Sequence, residues 1–490
     1  MSAVGHPAAT PRQPGRLTGN RDFLLLWVGS GVSALGSRAT SISYTLLVYW
    51  STGSATAASL VTFAALLPNL ITQLPAGALV DRWDRRRTMV LCNIGRIVAI
   101  GSVAVAVARD SVWLPHLMAV AFVEASLGIC YALAERAAVF NVVPADRYGA
   151  ATAANESRAN AASILGQPAG TLLYALTRWA PFGFAVLMHV ISLVTLLFVR
   201  RELQAPKARA DEPGGLLARV REGFVFVWGQ LYLRRALGLF AASNILFQVL
   251  GLGLVVIVKN KGGSPPMLGM LVVVNSVFGM AGAMTSNFYL SRWGIRRIIM
   301  GVNIAWAVLM PLLALAPGLA LAPGLVVVGA IFALIHYGAG ISNVAGMLYV
   351  LQSAPDHLRG RAGSIVMLLS SGANSLGALF AGFLLDSTSI TKAMLIVGGA
   401  MGVIAVLAVL GFGGRARAEA ERAEAERADA ERAEAERAEA ERADAERAET
   451  ERAETERAEA ERAEAERAET ERADADRVEA EPAARVARSG

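Results

Sequence analysis

Two ionisable side chains lie within stretches of the chain that are otherwise apolar. Glu124 lies near the middle of the run at 113–138, and Arg38 lies midway through the run at 23–50. A charge inside such a segment is costly when lipid surrounds it, and it usually serves a function. A carboxyl group in that setting can take up and release a proton near neutral pH. Glu124 is therefore a candidate for proton coupling or for binding a cation, and a protonated structural hydrogen-bonding role is the alternative.

Arg38 offers the opposite charge. If it faces a central cavity, it can pair with Glu124 or with an anionic group of a bound molecule. Aromatic, amide and imidazole side chains of other apolar runs are candidates to line the same cavity: Trp27, Tyr131, Phe247, Gln248, Asn275, His336 and Tyr337. Packing between helices is the alternative for the aromatic residues, and Trp27 can instead anchor its helix at a membrane interface.

The composition indicates that lipid surrounds most of this chain. It has 490 residues, of which 54% are hydrophobic and only 18% charged, whereas a soluble protein must cover its surface with polar and charged groups. The segment 415–490 holds 26 of the 40 acidic and 16 of the 46 basic residues, which leaves 14 acidic and 30 basic residues for the other 414. A basic excess is expected on the cytoplasmic loops of a membrane protein, so we predict no nucleic-acid partner.

The apolar stretches predict the membrane topology. A membrane-spanning helix needs about 20 mostly apolar residues. Such stretches predict twelve spans, at 23–50, 55–80, 88–108, 113–138, 155–177, 182–199, 236–258, 267–290, 298–317, 324–350, 363–386 and 391–413. Arginine is frequent in every second loop, beginning with the N-terminal segment, and sparse in the others. We therefore predict a multi-pass protein of the cell (inner or plasma) membrane with both termini in the cytoplasm.

The predicted spans fall into two sets of six. The expected segments are a cytoplasmic N-terminal segment at 1–21, a six-helix bundle at 22–200, a cytoplasmic linker with an amphipathic helix at 201–235, a second six-helix bundle at 236–414 and a tail at 415–490. The tail repeats Glu-Arg-Ala-Glu-Ala, which favours one long charged helix. Such a sequence would be predicted to form a coiled coil, although no apolar residue recurs at the 3.5-residue spacing of a buried seam.

The two sets of spans also resemble each other. Arg82-Trp83 after the second span matches Arg292-Trp293 after the eighth, and Asn93-Ile94 matches Asn303-Ile304 at the same offset of 210 residues (292 − 82). Two parallel six-helix repeats are typical of one large class of transporters. Chance similarity between two basic loops is the alternative.

A loop motif connects these observations to a known family. The segment Gly77-Ala78-Leu79-Val80-Asp81-Arg82-Trp83-Asp84-Arg85-Arg86-Arg87 resembles the motif between spans two and three of the major facilitator superfamily, with Asp84 in place of its second glycine. The turns at 20–23, 143–147 and 355–361 resemble the branch of macrolide-efflux and enterobactin exporters. This resemblance implies an all-α membrane protein with the major facilitator fold. Its twelve transmembrane helices would form two six-helix bundles, followed here by a long charged C-terminal helix.

The same resemblance implies roles for the loop residues. The gating motif would consist of Gly77, Asp81, Arg82, Arg85 and Arg86, together with Glu135 on span four. Asp81 would lie against the N-terminus of span eleven, where the helix dipole stabilises a carboxylate, and would latch the halves in the outward-facing state. Arg85 would pair with Glu135. The alternative is that these arginines only set the topology.

We therefore expect a secondary active transporter that exports amphipathic small molecules of drug or siderophore type, coupled to protons, by alternating access. An importer or uniporter of the same fold is one alternative, and a non-transporting membrane scaffold that uses the charged tail is another. No phosphate-binding loop, metal-ligand cluster or nucleophile motif occurs, so we expect neither enzymatic activity nor a cofactor. The expected partners are the lipid bilayer, the substrate and protons, with the chain as a monomer.

Overall fold

The computed structural model describes residues 19–204, 224–225, 228–353 and 359–412, and its regular elements are helical throughout these ranges. Helices suit a lipid environment because each one satisfies its own backbone hydrogen bonds. The described helices are α1 Arg21–Thr52, α2 Ala55–Ile71, α3 Gln73–Arg82, α4 Arg85–Ala108, α5 Leu114–Val142, α6 Tyr148–Leu176, α7 Ala180–Leu197, α8 Leu231–Asn260, α9 Pro265–Leu312, α10 Leu321–Ser353, α11 Arg359–Ser387 and α12 Ile390–Phe412.

The helices differ in how well lipid could surround them. Within the described ranges, eight are long and apolar enough to cross a membrane, namely α4, α5 and α7 to α12. α1 and α6 have the length, at 32 and 29 residues, but serine, threonine and ionisable residues interrupt their apolar surfaces. Polar residues at these depths must face the protein interior or a cavity, so α1 and α6 are expected to carry functional groups.

Three of the predicted spans differ from the observed helices in how they are joined or divided. The spans expected at 267–290 and 298–317 are two helical segments within α9 that meet directly at Gly294 (φ 73°, ψ 159°). A positive φ is readily adopted only by glycine, so a single residue makes a break where the sequence predicted a loop. The span expected at 55–80 is divided into α2 and α3 at Thr72, one turn after Pro68.

Other boundaries shift by a few residues. α8 begins at Leu231, five residues before the predicted start of the second bundle. The amphipathic helix expected in the linker lies mostly outside the described residues, although Phe224 and Trp228 stack with their ring centroids 5.0 Å apart. The charged helix expected after residue 414 also lies outside them.

Buried apolar residues show how the first half (19–204) and the second half (228–412) of the described chain pack together. One cluster contains residues of both halves, such as Leu47 and Leu250, and lies at the end of the molecule near Ser54. Towards the opposite end the described clusters are confined to one half each: one around Met89 in the first half, and two smaller ones in the second. We call the Ser54 end the closed end, because the shared apolar cluster of the described residues lies there.

Local capping fixes where α4 begins. The Asp84 carboxylate accepts a hydrogen bond at 2.7 Å from the backbone N–H of Arg87, as expected of an N-cap residue. The residue that departs from the family's loop motif therefore has a structural role of its own. It starts the helix that presents Arg85 and Arg86.

We predict that Asp84→Ala lowers the free energy of unfolding by about 1 kcal/mol, which is the usual cost of losing an N-cap. Asp84→Asn keeps an acceptor oxygen at the same position and should retain most of the stability. Unfolding of the purified protein in mixed micelles with increasing denaturing detergent measures both variants. Equal midpoints for the wild type and the alanine variant would contradict this role.

Candidate functional site

Glu124 lies in a buried hydrogen-bonded network inside the first half. Its side chain is only 6% exposed, and its carboxylate accepts hydrogen bonds from Thr40 Oγ1 at 2.9 Å and from the Tyr44 hydroxyl at 3.1 Å. The carboxylate comes from α5, whereas both donors come from α1 and lie one turn apart on the same face. The carboxylate loses its hydrating water on burial, and the two hydroxyl groups replace the hydrogen bonds of that water.

Arg96 of α4 brings a buried positive charge into the same region. One guanidinium nitrogen donates to Ser33 Oγ at 2.9 Å, and another forms a hydrogen bond with Ser37 Oγ. Ser33 Oγ is also 3.1 Å from Nδ1 of His189 on α7. Positions 33, 37 and 40 of α1 follow helical spacing, so a single face of α1 contacts both the Glu124 carboxylate and the Arg96 guanidinium. The hydroxyl groups of α1 can therefore stabilise two opposite charges in the interior. Protonation of the carboxylate would change the hydrogen bonds that α1 makes.

A cavity of about 440 Å³ lies between the two halves. From the first half it is lined by Ser41, Ile42, Thr45, Ser59, Thr62, Ser163 and Gln167. From the second half its lining includes Phe247, Gln248, Asn275, Ser276, Phe332 and His336, among further apolar residues. Four of the predicted cavity residues, Phe247, Gln248, Asn275 and His336, therefore face this space.

The other three predicted cavity residues do not line it. Trp27 donates its indole N–H to the carbonyl of Ala154 at 3.0 Å, between α1 and α6. Tyr131 is buried in the first half, where its hydroxyl lies 3.2 Å from two serine hydroxyls. Tyr337 contacts hydroxyl groups of α9 at 2.8 and 3.0 Å. An apolar run indicates that a residue belongs to a helix, but not which face of that helix meets the cavity.

Arg38 does not pair with Glu124. Its side chain is exposed, and neither a hydrogen bond nor an ion pair joins it to another residue that the structure describes. Its Cβ packs against Gly166 of α6, where any larger side chain would collide with it. Glu124 therefore belongs to a buried network, whereas Arg38 lies on an exposed face of α1.

The predicted pairing of Arg85 with Glu135 is wrong for this conformation. Glu135 forms a salt bridge with Arg158 of α6 at 3.0 Å, whereas Arg85 donates to the carbonyls of Ala137 and Leu203 at 3.1 and 3.3 Å. Arg158 occupies both carboxylate oxygens of Glu135, so Arg85 binds backbone carbonyl groups instead.

The remaining motif residues lie around the ends of α3 and α4. Arg86 donates to the carbonyl of Leu197 at 2.9 Å, Arg82 is exposed, and Gly77 lies within α3. The side chain of Asp81 is outside the described part of the structure, as are those at the start of α11. The latch expected between them therefore stays a prediction.

The closed end is held by a carboxylate that joins the two halves. Asp386, near the C-terminus of α11, accepts hydrogen bonds from Ser54 Oγ at 2.9 Å and from the backbone N–H groups of Ala55 and Thr56, both at 2.8 Å. The first N–H groups of a helix lack partners within it, and the helix dipole favours a negative charge there. Asp386 therefore caps α2 from the opposite half.

A lysine reinforces the same end. Lys259 of α8 donates to the carbonyl of Tyr49 at 2.6 Å, and its ammonium group lies 4.5 Å from the centroid of the Tyr49 ring. A cation over an aromatic face adds an electrostatic attraction to the hydrogen bond. Both contacts run from the second half to the first.

A match to a family profile identifies the protein family. The profile described as the Major Facilitator Superfamily matches residues 26–258 and 243–459, which together make up most of the chain. The chain belongs to the major facilitator superfamily. It is accordingly a multi-pass membrane transporter that acts on small-molecule substrates, and the family consists of transporters rather than enzymes.

Individual relatives support the predicted branch of this superfamily. The multidrug efflux pump Tap of Mycolicibacterium fortuitum is 28% identical over 403 residues, covering 79% of this chain and 95% of Tap. Macrolide efflux protein A of Streptococcus pyogenes is 26% identical over 223 residues, covering 45% of this chain and 53% of that protein. The crystal structure of the nucleoside transporter NupG superposes with a TM-score of 0.63 at 14% identity, over 80% of this chain and 100% of that one. The resemblance to efflux proteins is confirmed, and the third match shows the shared fold.

Asp386 was not predicted as a functional residue, although the sequence of this major facilitator transporter contains a signal for it. Only Asp356 and Asp386 are acidic between residues 236 and 414. An acid at the end of a span, in a half almost free of acids, could have been matched with a helix N-terminus elsewhere. What the sequence lacks is the information that the partner helix belongs to the other half.

We predict that Asp386→Ala loosens the closed end, because it removes three hydrogen bonds between the halves. Spin labels on Ser111→Cys and Ser264→Cys, in a background without the two native cysteines, report the separation of the halves at this end. The distance distribution should gain a longer component in Asp386→Ala, and a weaker one in Ser54→Ala.

Asp22→Asn is the matched control for that measurement. Asp22 accepts a hydrogen bond at 3.0 Å from the backbone N–H of Arg200, so its contact stays within the first half. The control should leave the distribution unchanged. An unaltered distribution in Asp386→Ala would show that the cap does not hold the halves together.

Proposed function

We propose that this transporter exports amphipathic small molecules across the cell membrane in exchange for protons, by alternating access to the cavity between its halves. The observation that carries this function is the placement of Glu124. It is a buried carboxylate that hydrogen-bonds to α1, and α1 also lines the cavity. A secondary transporter needs such a link between the group that binds the ion and the site that binds the substrate.

The proposed topology has twelve crossings in two bundles, at 22–200 and 236–414. In the first bundle α2 and α3 together form one crossing. In the second, Gly294 divides α9 into two crossings, and the 3₁₀ turn Leu313–Gly318 extends the latter. The segments 1–21, 201–235 and 415–490 would be cytoplasmic, as the distribution of arginine predicts.

In this orientation the closed end faces outward, and the conformation is inward-facing. The shared apolar core and the Asp386 cap support closure on the outer side, and the separate clusters support separation on the inner side. The Asp81 latch, which the family resemblance assigns to the outward-facing state, would then form only when the inner ends of the halves meet. Each end would have its own carboxylate at the N-terminus of a helix in the opposite half.

Proton transfer to Glu124 can act on the cavity through α1. An ionised carboxylate only accepts hydrogen bonds, whereas a protonated carboxyl group also donates one. Protonation therefore changes which hydroxyl orientations of Thr40 and Tyr44 are favourable, and it leaves the charge of Arg96 without a counter-charge in the interior. A shift of α1 that relieves this imbalance also moves Ser41 and Thr45 in the cavity wall.

Export is favoured over import by the relatives. Tap is described as a multidrug efflux pump, and the Streptococcus pyogenes protein as a macrolide efflux protein. The fold is shared with a nucleoside transporter, and likeness at that identity carries no direction of transport. We therefore place drug-type amphipathic compounds first among the substrates, with import by the same fold as the second candidate.

We predict that Glu124→Gln abolishes efflux while the protein still folds. The amide oxygen can accept the bond from one of the two hydroxyl groups, and the amide NH2 can donate to the oxygen of the other, but the amide cannot take up a proton at neutral pH. An efflux-deficient bacterial host that produces each variant is profiled against a panel of amphipathic antibiotics and dyes. Resistance given by the wild type should fall to the level of the empty vector.

Glu156→Gln is the matched control, since Glu156 is an exposed carboxylate of α6. It should retain most of the resistance. Normal production of Glu124→Gln in the membrane excludes misfolding as the cause of any loss. Efflux by Glu124→Gln that keeps the pH dependence of the wild type would refute the coupling role.

Deleting residues 415–490 separates a transporter from a scaffold. The cavity, the Glu124 network and the Asp386 cap all lie before residue 413, so we predict that the truncated protein keeps the full resistance profile. The measurement is the same susceptibility panel, with membrane abundance determined in parallel. Loss of all resistance at normal abundance would favour the scaffold alternative, in which the tail carries the function.

A further inference from the structure

The cavity walls differ in their chemistry. The first half presents hydroxyl and amide groups almost exclusively, from residues such as Thr45, Thr62 and Gln167. The second half presents mainly apolar and aromatic groups, including Phe247 and Phe332. A molecule with an apolar body and a polar side would satisfy both walls at once. The volume of about 440 Å³ falls within the roughly 300–1,000 Å³ of pockets that hold drug-sized ligands.

Among the described residues, no carboxylate lines this cavity to bind a cation. None of the described residues that line it is an aspartate, glutamate, lysine or arginine. Glu124 is nearly fully buried, and Thr40 and Tyr44 occupy its two oxygens. Glu156 lies on the cavity side of α6 but ten residues before Gly166, which is about 15 Å along the helix. A cationic ligand would thus lose its hydration without gaining a counter-charge.

Arg38 supplies the opposite charge next to the cavity. Ser41, Ile42 and Thr45 line the cavity and follow Arg38 by three, four and seven residues, so Arg38 lies on the same face of α1. Its Cβ packs against Gly166, and the next residue, Gln167, is again in the lining. Arg38 as a residue is exposed, and its guanidinium has no hydrogen-bond or ion-pair partner among the described residues. Arginine binds carboxylate and similar oxyanions through parallel hydrogen bonds, so an unpaired one beside a cavity is suited to an acidic ligand.

We propose that the cavity selects amphipathic acids over amphipathic amines. The acidic group of the ligand pairs with Arg38, its apolar body packs on the Phe247 wall, and hydroxyl groups of the first half bind its remaining polar atoms. This assignment rests on the proposed function, because it names the substrate class of the exporter. It also separates the two ionisable groups by task, with Arg38 recognising the substrate and Glu124 carrying the proton.

Three fluorescent probes with one aromatic body test the charge preference. They are 1-pyrenebutyrate, 1-pyrenebutanol and 1-pyrenebutylamine, which end in an anion, a neutral hydroxyl and a cation at pH 7.5. Binding to the purified full-length protein in detergent is measured by fluorescence anisotropy, with protein-free micelles as the blank. We expect the butyrate to bind about tenfold tighter than the alcohol, as a charge-assisted pair predicts, and the amine to bind most weakly.

Variants at position 38 assign the preference to its cause. Arg38→Gln should make the butyrate bind no tighter than the alcohol, while Arg38→Lys should retain part of the preference. Arg109→Gln, which removes an exposed arginine at the far end of α4, is the matched control and should keep the wild-type order. The wild-type measurement tests the inference even if Arg38→Gln fails to fold.

Several outcomes would overturn this assignment. They are amine binding as tight as butyrate binding, absence of binding by all three probes, or an unchanged order in Arg38→Gln. The assay uses no gradient, so it is independent of proton coupling. If the wild type shows no charge preference but Glu124→Gln is inactive in efflux, only the proposed substrate class is refuted. If the wild type prefers the acid but Glu124→Gln still exports with the wild-type pH dependence, only the proposed proton coupling is refuted.

Discussion

The first half depends on how α1 replaces water around two buried charges. Glu124 and Arg96 come from α5 and α4, and each would be strongly destabilising in the interior without polar partners. The partners are hydroxyl groups at positions 33, 37, 40 and 44, which recur at helical spacing along one face of α1. This face prevents α1 from being apolar, and it explains why a helix of 32 residues falls short of a simple membrane span. The hydroxyl face therefore constrains where α1 can lie, and α1 in turn positions the cavity.

A second face of the same helix meets the cavity. At about 100° per residue, the stripe through Arg38, Ser41 and Thr45 lies roughly 110° around α1 from the hydroxyl stripe. The helix cannot rotate or slide to adjust one stripe without moving the other. Close packing against Gly166 of α6 further limits independent motion of the Arg38 side. The proposed coupling between proton and substrate would thus need no long pathway in this fold, because one helix carries both sets of groups.

The sequence predicted the class of structure well and the contacts poorly, for identifiable reasons. Hydropathy reports how long a helix is and whether lipid can surround it, so the helical membrane architecture was predictable. It does not report direction around the helix axis, which is why Tyr131 and Tyr337 were expected in the cavity and lie elsewhere. The basic residues around Gly294 predicted a loop between two spans, but they did not show that a single residue makes the break. The pairing of Glu135 with Arg158 depends on which faces of α5 and α6 meet, and this is set by packing rather than by spacing.

The two ends of the molecule illustrate a further limit of sequence reasoning, and a physical rule behind it. Asp386 caps a helix across the interface between the halves, and the resemblance to the family motif predicts the same role for Asp81 at the other end. A carboxylate at a helix N-terminus is a short-range contact, since the dipole effect falls off within the first turn. Such a contact is either made or broken and has little strength in between. Two caps at opposite ends of rigid halves cannot both be made while the halves rock about the cavity, because closing one end separates the other. The Asp386 cap and the predicted Asp81 cap would therefore exclude each other, and together they would act as a two-state device rather than a source of static stability.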